Sequence, residues 1–193
     1  DLLGIETDID FSNPIEVEKF QDEILKRYYR PTPTKGILHF LDYAKTNGFH
    51  LAVLSNTIYS KRFTLNAIIN TFKWSEEKFN SYFDLLMVSS EVAFKKPNDD
   101  FFRLGMKKVG CSNPSDAIYI GDSPTFDVLG SASAKMNPCH FNFKNNATSS
   151  LNQIKGLFSF KDYSELESML KNNKEYRPRI PEEIEFGVHK DEW

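Results

Sequence analysis

Two aspartates near residue 120 have the spacing and setting of metal ligands. Asp122 and Asp127 follow the apolar run Ile118–Ile120, and Gly121 lies between the run and the first carboxylate. Mg²⁺ takes a few carboxylate oxygens together with water and substrate phosphate, and glycine lets a backbone turn closely. The same residues also suit an ordinary β-turn followed by the first turn of a helix. Their neighbours in the fold decide between these interpretations.

Two other polar clusters favour chemistry on a phosphate. Ser55 and Asn56 follow a second apolar run, and Lys96 follows a third. A hydroxyl and the backbone N–H groups at a helix start can hold a phosphate, and a lysine can neutralise its oxygens. Taken singly, a Ser-Asn pair more often caps a helix. Taken with Asp122, the residues predict a site for a phosphate and a divalent cation.

The elements that must position these residues alternate between strand and helix. Apolar runs and helical periodicity predict strands at 50–54, 85–88, 117–120, 140–143 and 158–160, and helices at 14–30, 34–47, 59–72, 99–109, 125–135 and 164–170. This alternation predicts βαβ units, and hence an α/β fold with a doubly wound parallel sheet. Ligands bind beyond the carboxyl ends of such strands, so the three clusters are expected to face one crevice.

Three sequence strings carry a family resemblance. LAVLSN, FKKPNDDFF and IYIGDSPTFDVLGSASAKM resemble, in this order, motifs II, III and IV of the haloacid dehalogenase (HAD) superfamily, over about residues 30–145. The resemblance implies a Rossmann-like core and a Mg²⁺-dependent phosphatase that forms an aspartyl-phosphate. It implies that Ser55 binds phosphate, assisted by Asn56, and that Lys96 stabilises charge. Asp122 and the supporting Asp127 are then the metal residues.

The first motif of that family has no clear copy. Family members carry Asp-x-Asp-x-Thr after the first strand, whose first aspartate attacks phosphorus and whose second acts as general acid and base. Asp8 and Asp10 have this spacing, but they follow a short polar stretch and precede the helix start at Pro14. The resemblance favours a second interpretation, in which residues 1–30 form the end of a helical cap and the nucleophile strand lies upstream of residue 1.

These observations define an expected organisation and competing functions. Residues 1–30 are expected to form the end of a helical cap, and residues 31–172 the core. Residues 173–193 are expected to be an extension that docks on the core through Tyr176, Phe186 or Trp193. The expected substrate is a small phosphorylated metabolite. A non-catalytic binding or scaffolding domain, a haloacid dehalogenase and a phosphomutase are the alternatives, and the dehalogenase would need no metal.

Composition and net charge limit the kinds of partner that the protein is expected to bind. The 193 residues suit one domain, and the net charge of −3 is made of interspersed signs. This gives no electrostatic footprint for nucleic acid or an anionic membrane, and no apolar run reaches a membrane span. A cytoplasmic protein is expected. Cys111, Cys139 and the four histidines lack metal-ligand spacing and are interpreted as structural.

Overall fold

A computed structural model of the protein describes residues 9–28, 31–173 and 175–186. Its helices are α1 (Pro14–Tyr28), α2 (Ile37–Thr46), α3 (Lys61–Phe72), α4 (Glu76–Tyr82), α5 (Asp99–Lys108), α6 (Gly130–Ser133) and α7 (Tyr163–Asn172). Its strands are β1 (Ala52–Ser55), β2 (Leu85–Val88), β3 (Ile118–Gly121), β4 (Asn137–Phe141) and β5 (Phe158–Phe160). Short 3₁₀ turns lie at Ser89–Glu91, Pro114–Asp116 and Ser149–Gln153, and a π-helical turn lies at Pro124–Leu129.

Polar caps set the starts of several helices. The Ser60 and Ser75 hydroxyls accept hydrogen bonds from backbone N–H groups three residues ahead, at 3.1 and 3.2 Å. The Asn98 side chain accepts one from the Asp100 N–H at 2.8 Å. Such caps typically contribute about 1 kcal/mol each. The cap at Ser75 begins α4, a helix that the sequence pattern did not predict because its seven residues are too few to show an apolar period.

The strands form two parallel groups within the described residues. β1 pairs with β2, with Ser55 opposite Val88. β4 lies between β3 and β5 and is parallel to both, with Gly121 opposite His140. The predicted parallel α/β architecture is confirmed.

Helices cover both faces of the second group. Ile118 and Ile120 pack in the cluster that contains Phe40 of α2 and Leu166 of α7, while Tyr119 packs against the cluster around Phe102 of α5. Successive side chains of a strand point to opposite faces. β3 is therefore buried between helices on both sides, as a doubly wound sheet requires.

Several element boundaries differ from the predictions. β1 begins at Ala52 rather than at residue 50, and β4 covers Asn137–Phe141 rather than 140–143. The helix predicted at 125–135 is a π-helical turn followed by the short α6. The Ser123 carbonyl accepts from the N–H groups of both Asp127 and Val128, at 3.0 and 3.1 Å, which widens the first turn. Such wide turns are frequent at functional sites.

The amino-terminal helix packs on the core. α1 contacts α3, and the Asn66 side chain donates to the Asp22 carboxylate at 2.6 Å. No helix in the described part of the chain is long and apolar enough to cross a membrane. The division of the chain at residues 30 and 172 stays a prediction.

The carboxyl-terminal extension docks through Tyr176. The buried Tyr176 hydroxyl donates to the Pro138 carbonyl at 2.7 Å and accepts from the Phe158 N–H at 2.9 Å. Burial is the main cause that raises the pKa of this hydroxyl, so it stays protonated and able to donate. Phe186, also expected to dock, is 41% exposed, and Trp193 lies outside the described residues.

The substitution Tyr176→Phe tests this docking. It leaves the Phe158 N–H and the Pro138 carbonyl without their partner, so the free energy of unfolding should fall by about 1–3 kcal/mol. Tyr28→Phe is the matched control, because Tyr28 is 75% exposed. Urea unfolding of both variants measures the difference, and an equal stability of the two would contradict the docking.

Candidate active site

The loops that follow β1 and β2 are joined by one side chain. The Asn56 amide donates to the Lys96 carbonyl and its oxygen accepts from the Lys96 N–H, both at 2.9 Å. A two-point hold of this kind fixes the backbone of Lys96. The sequence predicted that Asn56 would offer its backbone to a phosphate, whereas its side chain holds the lysine loop.

Lys96 reaches across to the turn that follows β3. Its ammonium nitrogen lies 2.6 Å from Asp127 Oδ1 and 3.2 Å from the Tyr119 hydroxyl. The two charged side chains are only 12% and 7% exposed, so solvent screens the pair weakly. The other Asp127 oxygen accepts from the Ser123 N–H at 3.0 Å. Both Asp127 oxygens are therefore already engaged.

Glycine at position 121 makes room for this carboxylate. A Cβ atom there would lie 2.3 Å from both Cβ and Cγ of Asp127. No side chain fits at that separation, so the strand must end in glycine for Asp127 to reach Lys96. Gly121 thus matters for close packing as well as for turning.

Tyr119 lies beneath the ion pair and stays protonated. Its hydroxyl lies 3.3 Å from the Leu54 carbonyl and 3.4 Å from Asp127 Oδ1. Burial, and then the negative charge of Asp127, raise the pKa of this phenol well above its ordinary value. The neutral hydroxyl can therefore donate a hydrogen bond between the two strand ends.

A 3₁₀ turn after β2 braces the loop that follows Ser55, the last residue of β1. The Ser89 hydroxyl accepts from the Thr57 N–H at 3.0 Å, and the Glu91 carboxylate accepts from the Lys61 N–H at 2.6 Å. Ser55 itself is half-buried, and no described residue hydrogen-bonds its hydroxyl. The braced loop presents a hydroxyl that is free, within this part of the chain, to bind a ligand.

Asp122 is held by the loop that follows β4. Lys144 Nζ lies 2.6 Å from Asp122 Oδ2, and the Asn146 amide donates to the Asp122 carbonyl at 3.0 Å. His140 is fully buried below, and burial is the main cause that lowers the pKa of its ring. Burial, and then the charge of Asp122, raise the pKa of Tyr163 to about 12. Sequence reasoning found Asp122 but missed Lys144 and Asn146, which carry no motif.

These donors fit part of a metal site. Asp122 is 38% exposed, and the ammonium of Lys144 already occupies a cation position against it. Each Asp127 oxygen already accepts a hydrogen bond, and the described residues contain no cluster of three or more His, Cys, Asp or Glu side chains able to hold a metal. Asp122 fits as one Mg²⁺ ligand, with further ligands required from water, substrate or residues outside the described ranges.

The remaining candidates are separate from this cluster. The Asp10 carboxylate accepts from the N–H and hydroxyl of Ser12, at 2.9 and 2.6 Å, and these contacts lower its pKa. Its described contacts are all local to the turn before α1. Asp8 lies outside the described residues. Lys95, the lysine directly before Lys96, is exposed.

An apolar slot lies directly below the cluster. It is a cavity of about 910 Å³ between β1 and β3, lined on one side by Leu54 and on the other by Ile120, with Phe40 and Met106 above and below. Within the described residues β1 pairs only with β2, and β3 only with β4, so both strands leave an edge towards the slot.

The protein has an α/β fold with parallel strands. The buried lysine–aspartate pair and the second, partly exposed aspartate at the strand ends form a candidate site for an anion and a cation. The chain belongs to the haloacid dehalogenase-like hydrolase family, whose model matches residues 3–140. The resemblance found in the sequence motifs is thereby confirmed.

Individual relatives are similar over shorter stretches. The chain is 30% identical over 93 residues to a glyceraldehyde 3-phosphate phosphatase of Methanothermobacter thermautotrophicus, covering 48% of this chain and 37% of that protein. It is 36% identical over 61 residues to a pyrimidine 5'-nucleotidase of Escherichia coli, covering 32% of this chain and 27% of that protein. The matches thus span about a third of each relative's length.

A solved structure shares the fold. The HAD-hydrolase YfnB of Bacillus subtilis, determined with bound magnesium, superposes with a TM-score of 0.63 at 17% identity, covering 88% of this chain and 66% of that one. At this identity the likeness concerns the fold alone.

Asp127→Asn tests the buried pair. The change keeps the side-chain shape but leaves the Lys96 ammonium buried without a counter-charge, so stability should fall by about 3–5 kcal/mol. The control is Asp99→Asn, which breaks the Arg103 pair whose side chains are 41% and 48% exposed. That loss should stay within about 1 kcal/mol. Thermal or urea unfolding gives both numbers, and equal losses would show that the buried pair is not special.

Proposed function

We propose that this protein is a Mg²⁺-dependent phosphatase that acts on a small phosphomonoester. The observation that carries the proposal is the buried Lys96–Asp127 pair, which accompanies a free Ser55 hydroxyl at the end of β1 and the partly exposed Asp122 carboxylate after β3. One matched relative is named a glyceraldehyde 3-phosphate phosphatase and the other a pyrimidine 5'-nucleotidase, which supports a phosphomonoester as the class of substrate. The family membership supports hydrolysis as the reaction.

Each residue then has a separate task at the phosphate. The Ser55 hydroxyl and the backbone N–H groups of the Asn56 loop bind phosphate oxygens. Lys96 supplies positive charge that stabilises the transferring phosphoryl group, and its fixed position requires no rearrangement during the reaction. Asp127 acts as a positioning residue, because both of its oxygens hold the lysine and its own turn.

Asp122 would hold the metal. Bound Mg²⁺ would offset charge on the phosphate oxygens and help orient the substrate. Asp122 keeps its backbone fixed through Asn146, so its carboxylate can turn from Lys144 to a metal without moving the strand end. The remaining ligands come from outside the described residues, from water and from the substrate.

The attacking carboxylate requires a further strand. We infer that a parallel apolar strand from outside the described residues fills the slot between β1 and β3, because both strands present unpaired edges to it. A carboxylate at the end of that strand would lie between Ser55 and Asp122. It would attack phosphorus as the bond from phosphorus to the alcohol oxygen breaks, and a second carboxylate two residues further along would give its proton to the leaving alcohol. That second carboxylate would then take a proton from the water that hydrolyses the aspartyl-phosphate.

A non-catalytic binding domain is the second candidate. Within the described residues, Asp127 is the one acidic side chain that hydrogen-bonds to Lys96, and none hydrogen-bonds to Ser55. The lack of a further carboxylate at these two residues favours binding without turnover. Such a domain would bind phosphate or a phosphorylated ligand without turnover. Activity measurements distinguish the two candidates.

Supplying the strand should create activity. The added segment has five β-branched apolar residues followed by Asp-Val-Asp. A Gly/Ser linker of about 25 residues joins it to residue 1 and spans roughly 27 Å on average. This protein should hydrolyse p-nitrophenyl phosphate with Mg²⁺, and EDTA should stop it. Lys96→Met should lower kcat by about 100-fold or more, because it removes the charge at the phosphoryl group.

Two controls accompany this measurement. Lys95→Met removes the neighbouring exposed lysine and should leave kcat within about twofold, as surface changes usually do. An otherwise identical strand ending in Asn-Val-Asp should give no turnover. Equal turnover with the Asp-Val-Asp and Asn-Val-Asp strands, or turnover by the unfused chain, would show that the nucleophile is not on the added strand. Asp8 and Asp10 would then be the residues to substitute. Phosphate binding without turnover in any version would favour the binding domain.

A further inference from the structure

The ammonium of Lys144 occupies the position beside Asp122 that a cation would take. Lys144 Nζ lies 2.6 Å from Asp122 Oδ2, and the two side chains are 56% and 38% exposed. The pair is open to solvent, unlike the Lys96–Asp127 pair. Within the described residues, Lys144 is the cation in contact with this carboxylate.

An ammonium group and a divalent cation compete for such a carboxylate. Both bind the same oxygens, and their positive charges repel each other at contact distance. Exposed ion pairs are weak, and a lysine has a flexible four-carbon stem, so the ammonium can leave. The carboxylate therefore has two alternative partners.

The surrounding loop allows this exchange without disturbing the strand end. Asn146 holds the Asp122 carbonyl at 3.0 Å, independently of the carboxylate. Lys144 Nζ also lies 5.1 Å from the centre of the Phe143 ring, which offers the released ammonium a cation–π contact. Phe143 is in turn stacked on Phe141, with ring centres 4.9 Å apart.

We propose that Lys144 is the built-in counter-ion of Asp122 and that a divalent cation binds there by displacing its ammonium group. Lys144 thereby lowers the affinity of the site for the metal and leaves a free positive charge beside it once the metal is bound. The inference rests on the proposed Mg²⁺ site at Asp122.

Metal binding to the 193-residue chain tests the exchange without any need for turnover. Mn²⁺ is the probe, because it takes the same hard oxygen ligands as Mg²⁺ and the free ion is counted by electron paramagnetic resonance. Lys144→Met should bind Mn²⁺ about three- to tenfold more tightly than the unchanged chain, as expected for the loss of an exposed ion pair and of the charge repulsion. Lys144→Arg, which keeps the charge, should not bind more tightly.

Lys161→Met is the matched control. It removes the same charge from a nearby lysine, whose ammonium bonds to Asn145 Oδ1 at 2.5 Å. Its Mn²⁺ affinity should stay within about twofold of the unchanged chain, because its ammonium contacts Asn145 rather than Asp122 and acts on the carboxylate only through solvent, which screens the charge. Asp122→Asn should remove the binding in every background.

The outcomes separate the two proposals. Equal affinity of the unchanged chain and Lys144→Met, with binding lost in Asp122→Asn, would overturn the counter-ion role and leave the metal site standing. Absence of Mn²⁺ binding in the unchanged chain and in Lys144→Met would overturn the counter-ion inference, while the proposed function would still be decided by the fused strand, which supplies a further carboxylate. An equal gain in Lys144→Met and Lys161→Met would also overturn the inference, because it would reflect net charge alone.

Discussion

The buried ion pair between Lys96 and Asp127 is the interaction on which the site depends. It joins the loop after β2 to the turn after β3, and each partner is nearly inaccessible to water. Removing either partner leaves a buried charge, so the pair fixes both loops in place. Other features serve it: Asn56 holds the lysine backbone, and Gly121 leaves the space that the carboxylate fills.

This pair also bridges the two groups of strands. β1 and β2 lie on one side and β3 to β5 on the other, with the apolar slot between β1 and β3. Unpaired strand edges and an apolar cavity are costly to expose, which is why a further strand between them is proposed. The contacts through Lys96 and Tyr119 keep the two groups in register while they leave that space open.

The sequence predicted those features that depend on local pattern. Strand ends and polar residues after them were sufficient to choose Ser55, Lys96 and Asp122, because parallel strands bring such positions to one edge. The side-chain role of Asn56 was missed. Whether its backbone or its side-chain amide binds a neighbouring group depends on loop geometry, which the sequence pattern does not show. Lys144 reaches Asp122 from a loop that turns through Asn145 in a left-handed conformation, with φ at 54°, and no local sequence pattern predicts such a path.

Binding of inorganic phosphate tests the central claim most directly. Titration of the ¹⁵N-labelled 193-residue chain with phosphate, followed by NMR, should shift the backbone amide signals of Ser55 and Asn56 together with those of Lys96. The same titration of Lys96→Met should give a markedly weaker affinity, because that ammonium supplies the buried charge of the site. Phosphate-dependent shifts that avoid these residues, or an affinity unchanged by Lys96→Met, would contradict a phosphate site built on the Lys96–Asp127 pair.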